Sequence, residues 1–249
     1  MEPVDIDPGP GDISFPRLGV VIPFANEEDT IEEFLRLVTD QLVERDRVYC
    51  IFDHACRDTS LERAKKMCAS DPRIVVVWAP ENRCVVDAYF RGYREALGAG
   101  CRWILEMDGG FSHPPAHIPR FIEAMEREAD FAAGSRFSPG GSYSGRRSRY
   151  LISRGGTILA NLLLGTRMRD MTSGFECFTR RALEEVVSRG VRSRGHFFQT
   201  EIRYMLRGWN WVEIPIRYRN PSRSVGRASL FEAFRILWAL RLESGRERP

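Results

Sequence analysis

The feature that most constrains this chain is an alternation. Between Leu18 and Asp108, short runs of apolar, often β-branched residues alternate with stretches whose apolar residues recur at helical spacing. The runs Leu18–Pro23, Val48–Phe52, Ile74–Trp78 and Trp103–Met107 predict buried strands. The stretches Asn26–Val43, Leu61–Ala69 and Val86–Leu97 predict helices; in the first, Ile31, Phe34, Leu35, Val38 and Leu42 make one stripe. Strands joined through helices by short connections pair in parallel. The expected fold class is therefore α/β, a Rossmann-like domain with a mostly parallel, doubly wound central sheet flanked by helices. Ligands of such sheets lie beyond the carboxyl ends of the strands. Asn26, Glu27, Asp53 and Asp108 all stand just past those ends.

The second half is patterned differently. A strand at Phe131–Gly134, a Gly/Ser/Arg loop at Pro139–Arg147 and a helix at Ser148–Leu164 are followed by helices at Arg180–Arg189 and Thr200–Arg207 and a strand at Trp211–Tyr218. In Leu230–Leu242 apolar residues stand at 230, 231, 234, 237, 238 and 242 with Arg235 and Arg241 between. That stretch is either a core-packing helix or one lying on lipid. The segment 1–16, with four prolines and two glycines, reads as a flexible tail. No internal repeat and no long linker interrupts 17–249, which is expected to be one domain.

Charge separates the halves. Residues 1–135 carry 15 basic and 25 acidic side chains, residues 136–249 carry 22 arginines against 9 acids, and the net is only +3. A basic half points to anions such as phosphate, nucleic acid or a membrane surface. No secretory pattern opens the chain, and its best apolar run, Gly156–Gly165, is about half the ~20 residues a membrane span needs. Six cysteines without a CxxC pair read as reduced thiols. The expectation is a cytoplasmic protein without a transmembrane helix.

Several strings then meet a family. VVIPFANEE (Val20–Glu28), IFDHACRDTS (Ile51–Ser60), ENR (Glu81–Arg83), EMDGGFSHPP (Glu106–Pro115), AAGSRF (Ala132–Phe137), RYLISRG (Arg149–Gly155), DMTSGFECF (Asp170–Phe178), FQTE (Phe198–Glu201), EIPIRY (Glu213–Tyr218) and RSVG (Arg223–Gly226) occur in this order. The chain resembles the polyprenyl-phosphate hexosyltransferases, the dolichol-phosphate mannose synthase-like members of the family-2 glycosyltransferases. The resemblance implies a GT-A fold and an inverting transfer of a hexosyl unit from a nucleotide sugar, GDP- or UDP-hexose, to a dolichyl or undecaprenyl phosphate or a related phosphorylated acceptor. It assigns 17–130 to the nucleotide sugar, 131–229 to the acceptor and 230–242 to a C-terminal amphipathic helix. A protein of this kind sits peripherally at the inner face of the membrane. Two other readings remain: the same fold acting on a glycan or natural-product acceptor, and a catalytically impaired homologue that binds nucleotide or lipid phosphate beside a partner. Nucleic acid is not expected, because the arginines lie in these strings without an RNA-binding aromatic signature.

Matched position by position, the resemblance implies nucleotide contacts at Pro23, Ala25, Glu27, Asp53 and Arg83. It implies acceptor-phosphate contacts at Arg136, Arg149 and Ser153, and sugar or acceptor contacts at Gln199 and Glu201. Asp108, Asp170 and Arg223 are its catalytic residues, with Asp170 more plausible as an orienting group than as a base. Asp108 is also its ligand for a divalent Mg or Mn ion. His54, Ala25 and Gly110 depart from the pattern on the donor side, where an aspartate, an aromatic and an aspartate are usual. With Gly110 in the second position of the DxD motif, one carboxylate is a poor holder of a metal unless the diphosphate supplies most ligands. His113, in the same turn, is expected to be structural.

Overall fold

A computed structural model describes residues 15–219 and 227–246. Most of the predicted 1–16 tail and all of the RSVG loop with Arg223 lie outside the described residues. The elements run β1 (Leu18–Pro23), α1 (Ile31–Thr39), β2 (Arg47–Phe52), α2 (Ser60–Ser70), β3 (Ile74–Trp78), α3 (Val85–Gly98), β4 (Trp103–Glu106), α4 (Ile118–Glu126) and β5 (Phe131–Ser135). Then come β6 (Ser142–Tyr143), α5 (Arg147–Leu164), β7 (Glu176–Thr179), α6 (Arg180–Arg189), α7 (Phe198–Met205), β8 (Trp211–Pro215), β9 (Arg217–Tyr218) and α8 (Arg227–Arg246). A seven-stranded sheet in the order β3-β2-β1-β4-β7-β5-β8 forms the centre. Only β7 is antiparallel to its neighbours, β4 and β5. The α/β class and the mostly parallel sheet are as expected.

Each face of the sheet carries a core, because alternate residues of a strand point to opposite sides. Val20 and Ile22 of β1 pack with α1 and α4, whereas Val21 packs with Tyr89 and Tyr93 of α3. On that second face Gly92 must be glycine: a Cβ there would stand 2.2 Å from Val21 Cγ1. All six cysteines are free thiols. Among the described residues no helix is long and apolar enough to cross a membrane.

Three departures from the sequence reading have physical causes. The helix expected over Asn26–Val43 shrinks to Ile31–Thr39, because Asn26 takes a left-handed backbone (φ 61°) and a turn on the Glu27 carbonyl precedes α1. At its other end Asp46, fully buried, draws in the Val43 and Leu18 N–H groups and the Arg17 guanidinium. The strand expected over Trp211–Tyr218 is two strands: Pro215, which has no N–H, ends β8 beside β5, and β9 pairs with β6. Strand β7 and helix α4 escaped the sequence pattern, β7 because four residues are too few for alternation to be read.

Candidate active site

The loops after β1 and β2 are locked to each other. Asn26 donates from Nδ2 to the Ala55 carbonyl (2.9 Å) and accepts from the Arg57 N–H (2.9 Å). Glu28 accepts from the N–H and hydroxyl of Thr59, while Asp58 accepts from the Glu28 N–H. Pro23, Ala25, Glu27 and Asp53 are thereby gathered at the adjacent carboxyl ends of β1 and β2. Asp53 turns one oxygen onto the Ala55 N–H (2.8 Å), an Asx turn. Arg83 stands apart, exposed, ahead of α3, with its N–H on the Asp87 carboxylate. Ala25 is exposed, and His54 stands edge-on to Trp78 (5.4 Å).

Asp108 follows β4 at the middle of the sheet. The Tyr89 hydroxyl donates to its Oδ1 (2.8 Å) and Ser112 approaches Oδ2 (3.4 Å). Its N–H donates to His113 Nδ1 (3.0 Å), so a neutral His113 carries its proton on Nε2. Burial pushes the His113 imidazole down to about 4. This histidine, stacked on Phe175, holds the loop and is not presented as a ligand.

Across a cavity of about 260 Å³ lies the basic half. Asp108, Arg136, Arg149, Ser153 and Gln199 all line it. Arg149 and Ser153, four residues apart on α5, share a helix face. Arg136 is buried and donates from Nε and Nη2 to the two oxygens of Asp170, and from Nη2 to the Thr172 hydroxyl (2.5 Å). Burial alone would raise the Asp170 carboxyl, but the charge and hydrogen bonds of Arg136 overcome it and hold the group at about 2. Asp170 therefore stands behind Arg136, with both oxygens bonded to the guanidinium and outside the cavity lining.

Glu201 lies apart from Gln199 and outside the cavity lining. Two residues after Gln199 on a helix, it points about 200° away. Its carboxylate is buried and accepts from the N–H groups of Arg192 and Ser193 and from the Ser193 hydroxyl. It pins the segment before α7.

Four residues of this arrangement were missed by sequence: Tyr89, Tyr218, Glu176 and Arg203. Tyr89 looked like one more core residue of α3, yet its hydroxyl is the partner of Asp108. Tyr218 lies under Arg136, with the guanidinium carbon 5.3 Å from the ring centre. Beneath the cavity, Glu106 and Glu176 face each other across β4 and β7, both fully buried. Arg203 of α7 is the cation between elements there: it donates to Glu176 (2.5 Å) and to the carbonyls of Asp170, Gly134 and Ser173. Burial first, then the neighbouring carboxylates, push Glu106 well up. Burial also raises Glu176, against the pull of Arg203. The available signal was an arginine amid the apolar positions of FQTEIRYML.

The cavity mouth is apolar. Helices α5 and α8 pack together and line it with Ile152, Leu159, Leu230 and Phe234. On α8, Ile236, Leu237 and Leu240 are buried, so this helix does pack on the core. Its other face leaves Phe231 73 % and Trp238 50 % exposed, beside Leu162 of α5 at 76 %.

Comparison with known proteins follows this geometry. The family model described as glycosyl transferase family 2 matches residues 19–187. The chain is 30 % identical over 205 residues to an undecaprenyl-phosphate mannosyltransferase of Micrococcus luteus, covering 81 % of this chain and 83 % of that one. It is 30 % identical over 183 residues to a polyprenol monophosphomannose synthase of Mycolicibacterium smegmatis, covering 72 % and 69 %. The solved structure of a glucosyl-3-phosphoglycerate synthase of Mycobacterium tuberculosis, in complex with Mn2+, UDP and glucosyl-3-phosphoglycerate, superposes with a TM-score of 0.66. It covers 92 % of this chain and 80 % of that one at 15 % identity, a likeness of fold.

Proposed function

Because the chain belongs to glycosyl transferase family 2, we propose that it moves a hexosyl unit from a GDP- or UDP-hexose to a polyprenyl phosphate, with inversion at the anomeric carbon. The observation that carries this reading is the cavity itself: a carboxylate at Asp108 faces Arg136, Arg149 and Ser153 across a space walled by apolar side chains of two helices. A phosphate with an isoprenoid tail matches that combination better than a free glycan, which has no use for the apolar wall.

The chemistry asks little of a base. A phosphate monoester carries about −1.5 to −2 charge near pH 7 and attacks without losing a proton. One of its oxygens forms the bond to the anomeric carbon as the bond from that carbon to the diphosphate oxygen breaks. Arg136 presents its remaining nitrogen, Nη1, to the acceptor, with Arg149 and Ser153 beside it; an arginine fork gives phosphate directed, charge-assisted bonds. Asp170 fixes the Arg136 fork, and Gln199, which lines the same cavity, is assigned to a sugar hydroxyl. Pro23, Ala25, Glu27, Asp53 and Arg83 form the nucleotide edge, and the RSVG string, which lies outside the described residues, assigns Arg223 to the donor phosphates by resemblance. In this division 17–130 serves the donor, 131–229 the acceptor and 230–242 the membrane.

The structural neighbour from Mycobacterium tuberculosis holds Mn2+ and UDP. Asp108 fits such an ion, being a half-exposed oxygen donor beside the strand ends. Among the described residues no three His, Cys, Asp or Glu side chains converge on a metal, so the diphosphate must bring most of the ligands. When bound, the ion offsets charge on the departing diphosphate. The residue after next, Gly110, makes the motif DGG rather than DxD.

The exposed apolar faces of α5 and α8, with Arg146, Arg147, Arg154 and Arg235 in the same helices or at their start, suit contact with an anionic bilayer surface. The test of the whole reading is transfer: the protein is incubated with radiolabelled GDP-mannose or UDP-glucose and undecaprenyl phosphate, and organic-soluble label is counted. Label in the organic phase is expected. Its absence, with lipid-phosphate binding retained, would leave a non-catalytic homologue.

A further inference from the structure

The two glycines after Asp108 are each closed off by the β1–α1 loop. A Cβ at Gly109 would stand 2.8 Å from the Phe24 ring. A Cβ at Gly110 would stand 2.8 Å from Glu27 Oε1 and 3.0 Å from its Cδ and Oε2. The whole Glu27 carboxylate thus lies against the bare Cα of Gly110, in the space from which an aspartate at 110 would project. Gly110 also has φ 79°, a backbone that side chains rarely adopt. The carboxylate that the DGG sequence lacks at 110 is thus matched by one reaching the same space from the β1–α1 loop.

Glu27 is held for this position. Its N–H donates to Ser60 Oγ (2.8 Å) and its Oε2 accepts from Thr30 Oγ1 (2.9 Å). Among the described residues Oε1 accepts no hydrogen bond, and Glu27 is in no ion pair although it is half-buried. A carboxylate withdrawn from water without a cation is unfavourable unless one arrives with the ligand.

We propose that Glu27 supplies the second carboxylate of the donor site and, with Asp108, serves the divalent ion that accompanies the nucleotide diphosphate. This rests on the reading of that site as one for a nucleotide diphosphate, and it moves Glu27 from the base edge to the phosphate end. Two hard oxygen donors from separate loops suit Mg or Mn, which takes one or two carboxylates and completes its shell with phosphate and water.

The test reads nucleotide binding, without acceptor or turnover. GDP and UDP are titrated calorimetrically into the wild-type protein and into E27Q, G110D, the double variant E27A/G110D and the surface control E33Q, in EDTA and in MnCl2. Melting curves establish that each is folded. In the wild type Mn2+ tightens nucleotide binding roughly tenfold or more. In E27Q the ratio of affinities with and without Mn2+ falls to about twofold or less, whatever the affinity in EDTA; E33Q behaves as wild type. G110D loses the gain through the clash with Glu27, and E27A/G110D recovers it, because the clash is removed and a carboxylate restored. Wild-type Mn2+ coupling in E27Q overturns the proposal. So does equal loss of affinity with and without metal, which makes Glu27 a base or ribose contact. Absence of coupling in the wild type overturns it as well. Transfer of label to undecaprenyl phosphate separately decides whether the function proposed above stands.

Discussion

Arg136 and Asp170 form a two-pronged ion pair shut away from water, Nε to Oδ2 at 2.7 Å and Nη2 to Oδ1 at 2.8 Å, with side chains 4 % and 0 % exposed. The pair fixes the guanidinium at the wall of the cavity. D170N leaves Arg136 a buried charge without a partner, which is expected to destabilise the fold by about 3–5 kcal/mol. Transfer falls at least about a hundredfold with nucleotide affinity retained, since the lesion is on the acceptor side. R136K keeps the charge but loses the fork and raises the acceptor KM. Raising the pH restores nothing in D170N; restored activity at high pH would instead identify Asp170 as a base.

Tyr89 offers a gentler perturbation of Asp108. Its hydroxyl, buried on α3, donates to the carboxylate oxygen opposite Ser112. Y89F removes one hydrogen bond and leaves the ring packed on Phe198. It is expected to cost about 1 kcal/mol in stability and about tenfold in kcat, with the Km for polyprenyl phosphate little changed. An unchanged kcat would mean that Asp108 needs no orientation by Tyr89.

The sequence made the donor half legible because its strands are long, buried and separated by regular helices. The alternation alone put Glu27, Asp53 and Asp108 at strand ends, where they are. What it hid depends on through-space relations that no local pattern carries. Glu201 looks equivalent to Gln199 in a string, but two helical positions send them to opposite sides. That an arginine would orient with Asp170 is readable from the string, but which arginine, and that Arg136 takes both of its oxygens, is not. Arg203 and Glu176 are far apart in sequence and become partners only when β7 inserts antiparallel between β4 and β5. Gly110 reads as a loss until Glu27 is found against it.

The facing carboxyls of Glu106 and Glu176 differ in what they tolerate. Both are raised by burial, and Arg203 bonds Glu176 alone. Because the Arg203 guanidinium bonds Glu176 and not Glu106, E106Q should change stability by less than about 1 kcal/mol. E176Q takes the carboxylate partner from a fully buried arginine and is expected to cost about 3 kcal/mol or more. Thermal or urea unfolding of the two variants side by side decides it; equal losses would mean that Arg203 does not distinguish the two carboxyls.

His113 gives a pH signature with a definite sign. Its folded pKa, about 4, lies below the ordinary 6.5 because the imidazole is buried. The unfolded chain therefore takes up the proton first, so the histidine lowers stability as pH falls from about 6.5 towards 4 and does nothing above that window. H113N keeps an acceptor for the Asp108 N–H without titrating. Between pH 7.5 and 5 the wild type should lose about 2 kcal/mol more than H113N in urea unfolding. Parallel curves would show that the buried imidazole is not what titrates.

The outward faces of α5 and α8 make the last prediction, because a cavity that takes a lipid phosphate must open where lipid is. Leu162 and Phe231 are three-quarters exposed and Trp238 half-exposed, while Ile236, Leu237 and Leu240 on the inner side of α8 hold it to the core. Glutamate at positions on the outer face alone should spare the fold and oppose an anionic surface. F231E/W238E is expected to retain the wild-type melting temperature and nucleotide affinity. It should lose cosedimentation with vesicles of phosphatidylglycerol and phosphatidylcholine, and lose transfer to undecaprenyl phosphate embedded in them. Transfer to a short-chain, water-soluble polyprenyl phosphate should survive, since Arg136, Arg149 and Ser153 are untouched. Equal loss with both acceptors would place the apolar face inside the acceptor site, and wild-type vesicle binding would show that some other surface meets the membrane.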